Sequence, residues 1–305
     1  MSSDRPTHYV APVAAEQPPT DAINVKGKPA SLWRDAWTDL RTRPSFWISL
    51  GIVAIILLMA LWPTLFTQTP PNNQCELANS NAGPAAGHPL GYTFQGCDIW
   101  SRIVWGSRTS ISVGLLATII SSTLGLIMGA FAGYYGGWLD AVLSRVGDIF
   151  FSIPYILAAV VVMTVFSQYR NVFTLAFAIG GFAWAATARV VRAEVLRVKQ
   201  ADFVMASAAL GKGRFGTLLS HVIPNAFAPL LVLATLALAG GIVAEATLSF
   251  LGVGLGSDVM SWGNDISQAQ RSLRVAPMAL IYPSIVLTIT VLAFILLGEL
   301  IRDAL

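Results

Sequence analysis

The sequence predicts an all-α protein that crosses a membrane six times, and three observations carry that prediction: composition, the length of the apolar runs, and the placement of the basic residues. Of the 305 residues, 55% are hydrophobic and 11% are charged, against about 25% charged in soluble proteins. A mean hydropathy of +0.65 does not suit a surface that must meet water. A hydrophobic-rich soluble enzyme would break its apolar runs with charge after about 10–14 residues. Here the runs are longer, which excludes that class.

Residues 1–30 hold Pro6, Pro12, Pro18, Pro19 and Pro29 without apolar periodicity and read as a disordered cytoplasmic tail. Residues 31–43 suit a short amphipathic helix at the membrane surface, with Trp33 and Trp37 as interfacial anchors. The first apolar run opens near Phe46, far behind the position where a signal peptide places its apolar core. Six spans follow, at about 46–66, 109–132, 149–167, 172–190, 226–246 and 277–298. Each approaches the roughly 20 residues that a bilayer core of about 30 Å requires.

The basic residues orient these spans. With the N-terminus inside, the inner segments hold 14 Lys and Arg and the outer ones 5, which accounts for all 19. An excess of Lys and Arg marks the cytoplasmic side, so both termini are expected there. The chain then divides into the tail 1–30, an amphipathic helix with the first span over 31–66, an extracytoplasmic loop over 67–108, and a five-helix core over 109–305. That core carries one long cytoplasmic loop, 191–225.

The second span has Gly125, Gly129 and Gly133 at four-residue spacing, a pattern that lets another helix approach closely. It serves packing within the chain, its commoner use, or packing at a mobile subunit interface. Small residues also crowd the fifth span, from Ala226 to Ala244, and suit either a pathway lining or a crowded bundle centre.

The long loop contains a short helix from Asp202, a good N-cap, through Ala and Leu residues to Gly211, which suits a position with positive φ. Lys212 and Arg214 stand where cations favour a helix C-terminus. A second short helix is expected to end before Pro224. Phe203, Val204, Met205 and Leu210, beside the small Ala206, Ser207, Ala208 and Ala209, form an apolar knob. Such a knob fits a partner's groove or packs beneath its own bundle.

At this point the residues resemble a family. Ala206, Gly211, Ile223 and Pro224 match the coupling-loop pattern of binding-protein-dependent ABC importers, Glu-Ala-Ala, a following Gly and a hydrophobic-Pro pair. Met205 replaces the Glu and Ser207 the second Ala, so any polar contact of that Glu is absent. His88-Pro89-Leu90-Gly91, Gly96-Cys97-Asp98 with Ser101-Arg102, Gly133-Tyr134-Tyr135-Gly136-Gly137, Leu248-Ser249-Phe250-Leu251-Gly252, Ser261-Trp262-Gly263 and the closing Leu297-Gly298-Glu299 are similar to the C-type permease of dipeptide and oligopeptide importers. These segments run in order from about residue 31 to the end.

The resemblance implies a type I importer permease in a bacterial plasma (inner) membrane, and a loop, Asp202, Phe203, Met205, Ala206, Ser207, Leu210, Gly211, Lys212 and Pro224, that docks on an ATPase. It implies as partners a homologous second permease, two ABC ATPase subunits, an extracytoplasmic substrate-binding protein and membrane lipid, with no nucleic acid. ATP and Mg would be bound by the ATPase partners, with no cofactor in this chain. Consistently, a phosphate-cradling Gly-x-x-x-x-Gly-Lys-Ser/Thr loop fails here: Ala206 stands at the first Gly and Gly213 at the hydroxyl position. His8, His88 and His221 are scattered and point to no metal or catalytic site.

The alternatives are a permease for nickel chelates or other small solutes, a secondary transporter, and a respiratory subunit. A secondary transporter needs ionisable groups near the bilayer midplane, and the spans hold almost none besides Glu245 and Glu299 near their ends. A respiratory subunit would need haem-ligating His within spans, where none stands. Asp98 and Arg102 are expected on an extracytoplasmic helix lying on the membrane, where they either contact a binding protein or partner permease or form a merely exposed pair. Cys75 and Cys97, the only cysteines, share the outer loop. That compartment is oxidising and favours a disulfide. The family pattern has Arg at the position of Cys97, a departure that a bridge to Cys75 would explain.

Overall fold

The computed structural model describes residues 32–73 and 75–304; the tail 1–30 and the Trp33 side chain lie outside the described residues. Twelve helices are described among these residues: α1 Leu32–Leu40, α2 Pro44–Leu61, α3 Ile99–Tyr135, α4 Gly137–Ser152, α5 Tyr155–Val165, α6 Val172–Val198, α7 Asp202–Ala209, α8 Arg214–Thr217, α9 Ile223–Asn225, α10 Phe227–Phe250, α11 Trp262–Ala269 and α12 Met278–Ala304. Helices α2, α3, α6, α12 and the run ending in α10 are each long and apolar enough to cross a membrane. The amphipathic α1 packs on α12, burying Ala36 and Leu40 and leaving Trp37 exposed.

A sixth crossing is reached only if α4 and α5 count as one span, in place of the expected straight span over 149–167. It is broken between α4 and α5 by an 80° bend. Pro154 explains the break: proline has no N–H, and its ring disfavours helical backbone at the residue before it. Ile153 accordingly takes extended angles, φ −91° and ψ 119°.

Helix α3 begins ten residues before the expected second span, because Asp98 caps it by accepting the backbone N–H of Ser101 at 2.8 Å. Its glycines settle the packing question within this chain. A Cβ on Gly125 would stand 2.6 Å from Thr187, and one on Gly133 would stand 2.9 Å from the carbonyl of Arg192. On Gly129 it would collide with the carbonyl of Ala188. From the other side, Gly180 of α6 meets the Ala117 carbonyl in the same way. Backbone thus lies on backbone along the whole α3–α6 contact, as small-residue stripes permit. Along α10 the small residues divide: Gly241 packs against Gly114, whereas Gly240 faces open space in a groove shared with Ser121, Tyr155 and Thr187.

One end of the bundle carries a built cap. Cys75 and Cys97 are bonded, with Cα atoms 4.2 Å apart and a sequence separation of 22. Closing a ring of this size stabilises by roughly 3 kcal/mol in the chain-entropy model. Alkylation of the non-reduced protein followed by mass spectrometry is expected to leave both cysteines unlabelled; label on both would exclude the bridge.

The expected Asp98–Arg102 pair on an exposed helix does not form. Both residues are buried, and Arg102 reaches instead to Asp265 of α11, 2.8 Å from Nε and 2.5 Å from Nη2 to Oδ1. Its Nη1 donates to Asn72 Oδ1 at 2.5 Å. One guanidinium therefore joins the outer loop, α3 and α11. Sequence spacing pointed to the local partner; burial selected the distant one, since a buried cation must be paired. Because truncation strands a buried charge, Arg102→Ala is expected to cost about 3–5 kcal/mol. A double-mutant cycle with Asp265→Ala, read by thermal unfolding in detergent, should show strong coupling between the two.

Glu245 sits beneath this cap, fully buried, and accepts hydroxyl donors from Ser110 of α3 and Ser249, each at 2.9 Å. Ser110 in turn accepts the backbone N–H of Trp262 at 3.2 Å, while the Trp262 indole donates to the Ile103 carbonyl at 3.0 Å. The segment between α10 and α12 is thus folded back and pinned into the bundle.

Candidate functional site

The loop singled out in the sequence lies at the opposite end of the bundle from that cap, between α6 and α10. Helix α7 starts after Ala201, with Asp202 in its first turn rather than at the cap, where it would favour the helix dipole. It ends as expected at Gly211, whose φ of +84° is a left-handed conformation that glycine adopts at little cost. No neighbour lies within 4 Å of a Cβ built there. Glycine is required at this point by the backbone and not by crowding.

The second loop helix does not stop before Pro224. From Arg214 the chain runs through α8, a π-helical turn over Leu218–Val222, and α9, which includes Pro224, into α10. The widened turn is the physical reason: it accommodates the missing proline N–H and the bulk of its ring without ending the helical run.

The two faces of this loop differ sharply. Val204 is buried against Val195, Val198, Leu218 and Val222, and Ser207 is buried with its hydroxyl 3.4 Å from that of Thr217. These residues tie α7 to its own bundle. Phe203, Met205 and Leu210 point the other way, 46%, 55% and 88% exposed. Asp202, Ala206, Gly211, Lys212 and Pro224 are exposed as well. Of the nine residues proposed from sequence, Ser207 alone faces inward. Lys212 stands 3.5 Å from His221, so its charge lies along the loop's second limb.

Two further large apolar residues of the loop, Phe215 and Leu219, are 54% and 49% exposed. They lie on its second limb, Phe215 on α8 before the π turn and Leu219 within it. Sequence reading passed over both, although their signal was present, as large apolar side chains within a basic loop. Phe215 also reaches Phe131 of α3, with ring centroids 6.5 Å apart. Five large apolar side chains of this loop are exposed, with Lys212 and Arg214 beside them in sequence, and exposed apolar clusters mark interfaces.

This exposed knob is continuous with the bundle core. Val204, Val198, Val195 and Val191 form one buried row with Ala130 and Leu230, from α3, α6 and α10. Displacing the knob therefore pushes on helices rather than on a slack loop. Among the described residues no group of three or more His, Cys, Asp or Glu could hold a metal ion.

Comparison with known proteins gives consistent matches. A family model described as "Binding-protein-dependent transport system inner membrane component" matches residues 125–305, and one described as "N-terminal TM domain of oligopeptide transport permease C" matches residues 31–84. The oligopeptide transport system permease protein OppC of Bacillus subtilis (strain 168) is 33% identical over 300 residues, covering 98% of this chain and 97% of that protein. The dipeptide transport system permease protein DppC of Alkalihalophilus pseudofirmus is 31% identical over 310 residues, covering 100% and 98%. The glutathione transport system permease protein GsiD of Pectobacterium atrosepticum is 32% identical and covers 90% of each. Among solved structures, an amino acid ABC transporter matches with a TM-score of 0.51 at 17% identity, covering 67% of this chain and 94% of that one, which shows the shared fold.

Proposed function

Because the chain belongs to the binding-protein-dependent transport system inner membrane component family, we propose that it is the membrane-spanning permease subunit of an ATP-driven importer of di- or oligopeptides. The observation that carries this reading is the near full-length match to peptide permeases named above. The chain acts as a conduit and not as an enzyme. Partner ATPases bind ATP and Mg, and this subunit converts their closure into helix movement.

In this reading the knob of Phe203, Met205 and Leu210, extended by Phe215 and Leu219, seats in a groove on one ATPase subunit. Met205 replaces the acidic residue of the family pattern, so the seat is held here by apolar contact rather than by a carboxylate. Gly211 turns the chain sharply enough to present both limbs of the loop to the same groove. A homologous second permease completes the pathway, and a substrate-binding protein delivers peptide to the end capped by the Cys75–Cys97 bond. The excess of Lys and Arg on the loop side supports a cytoplasmic position for both termini and the knob. The nickel-chelate and secondary-transporter readings have no specific observation in their favour.

The test is copurification followed by uptake. The tagged chain, expressed with its neighbouring transport components, should bring down a second permease and ATPase subunits. The assembly in liposomes should take up peptide only with ATP inside and a binding protein outside. Uptake without ATP, driven by an ion gradient, would refute the reading.

A further inference from the structure

Helix α4 is unlike the other membrane helices in how it is held. Of its 16 residues only Gly147 is buried. At its start stand Gly136 and Gly137, both with positive φ, +68° and +58°. No atom lies within 4 Å of a Cβ built on either, so these glycines serve backbone freedom and not close packing. At its other end is the 80° bend at Ile153 and Pro154. A rigid rod thus hangs between two hinges, with little buried surface to keep it in place.

Two ion pairs fasten it to α6. Asp140 takes a two-pronged contact from Arg192, 2.6 Å from Nε to Oδ1 and 2.7 Å from Nη2 to Oδ2. Asp148 accepts from Arg189 at 2.9 Å, and the Arg189 guanidinium lies over the Phe151 ring at 3.7 Å. Phe150 completes the contact against Trp184, with centroids 5.3 Å apart. The forked Arg192 contact fixes orientation as well as distance. Arg192 stands in the last two turns of α6, and α6 leads into α7 through a three-residue link.

Exposure distinguishes these pairs from the one in the outer cap. The side chains of Arg102 and Asp265 are 6% and 7% exposed, whereas those of Arg189 and Asp148 are 48% and 50%, and those of Arg192 and Asp140 are 38% and 22%. A buried pair is a permanent lock, because separating it strands a charge. The two α4 pairs lie at the surface of this chain, where separating the partners strands neither charge inside the bundle. They can open and close within one transport cycle, as bistable elements in moving proteins must.

We propose that α4 is a hinged strut, latched to α6 by Asp140–Arg192 and Asp148–Arg189, whose release and re-latching accompany each passage of substrate. The four residues are then positioning residues for transport and take no part in ATP hydrolysis. The inference rests on the importer reading given above. It adds the part that moves between the ATPase-docking loop and the inner end of the broken span.

The experiment uses the complete reconstituted transporter. Asp140→Asn with Asp148→Asn is expected to lower peptide uptake about three- to thirtyfold, the range over which coupling residues act. ATP hydrolysis stimulated by the binding protein should persist in that variant, whereas a merely structural loss would lower both together. Exchanging the pair, Asp140→Arg with Arg192→Asp, should recover uptake toward that of the unaltered protein. Spin labels at the exposed Val142 and Val190 report the α4–α6 separation without reference to transport. It should differ between nucleotide-free and vanadate-trapped states in the unaltered protein, and become alike in both when the latch is removed. Uptake and hydrolysis falling in parallel, an unaltered uptake, or a label separation indifferent to nucleotide would overturn the strut. Absence of ATP-driven uptake by the unaltered assembly would overturn the importer reading instead, and the label distances would then decide the strut alone.

Discussion

Replacing Gly211 with valine is expected to abolish peptide uptake while the subunit still inserts and assembles with its partner permease. The backbone at this position is left-handed, and a β-branched residue there meets its own carbonyl. The strain, about 1–3 kcal/mol, is enough to unwind the end of α7, because that helix has only eight residues and two buried side chains. Val204 would keep the loop attached, but Leu210, the most exposed apolar group on the knob, would leave its position. Binding-protein-stimulated ATP hydrolysis should fall with uptake, because the ATPase loses its seat. Gly211→Asn is the informative control. Asparagine visits left-handed backbone at small cost, and the space around the site is open, so most activity should remain. Ala206→Trp should mimic the valine variant by bulk alone, since Ala206 lies exposed between Met205 and Leu210. Wild-type hydrolysis in both inactive variants would defeat the docking assignment.

The second large effect is expected from Gly129→Val. A side chain there must pass through the Ala188 carbonyl and stand 2.9 Å from Val191 Cβ. Backbone on both sides prevents local relief, so the helices must part. The cost lies at or above the about 1–3 kcal/mol typical of overpacking, since the contact is shared with Gly125, Gly133 and Gly180. Purified protein should unfold at a markedly lower temperature in detergent and be cut faster by protease in the α3–α6 region. Gly240→Ala offers the comparison, because nothing lies within 4 Å of a Cβ at that site. It should change stability little. Equal stability of the two variants would show that α3 and α6 do not lie backbone on backbone.

The membrane class, most of the apolar crossings and the short loop helix were legible in the sequence, because each depends on local pattern: run length, basic residues flanking runs, and a helix that stops at a glycine. What escaped was set by distant neighbours. Arg102 four residues from Asp98 reads as a surface pair, yet its partner lies 163 residues away on α11. Ser207 reads as part of an outward knob, but Thr217 draws it inward. Phe215 and Leu219 are exposed on the second limb, beside a π turn that no periodicity announces. Pro154 was visible in the third apolar run, but hydropathy averages across a bend. The glycines at 125, 129 and 133 announced a close helix contact without naming the helix, and Gly180 alone would not have revealed itself as the reciprocal contact.

The bend at Pro154 has a consequence for how the chain enters the bilayer during synthesis. Helix α5 has 11 residues, about 16 Å of rise, roughly half of an apolar slab of about 30 Å. Offered alone to the insertion machinery, it is too short to remain as a stable crossing. Its partner is the following helix: α5 and α6 are joined by a short polar turn, and Ala159 and Met163 bury against Leu175, Ala176 and Ile179. The two segments are therefore expected to enter the bilayer together as a hairpin, with the half-length helix accepted only alongside the longer one.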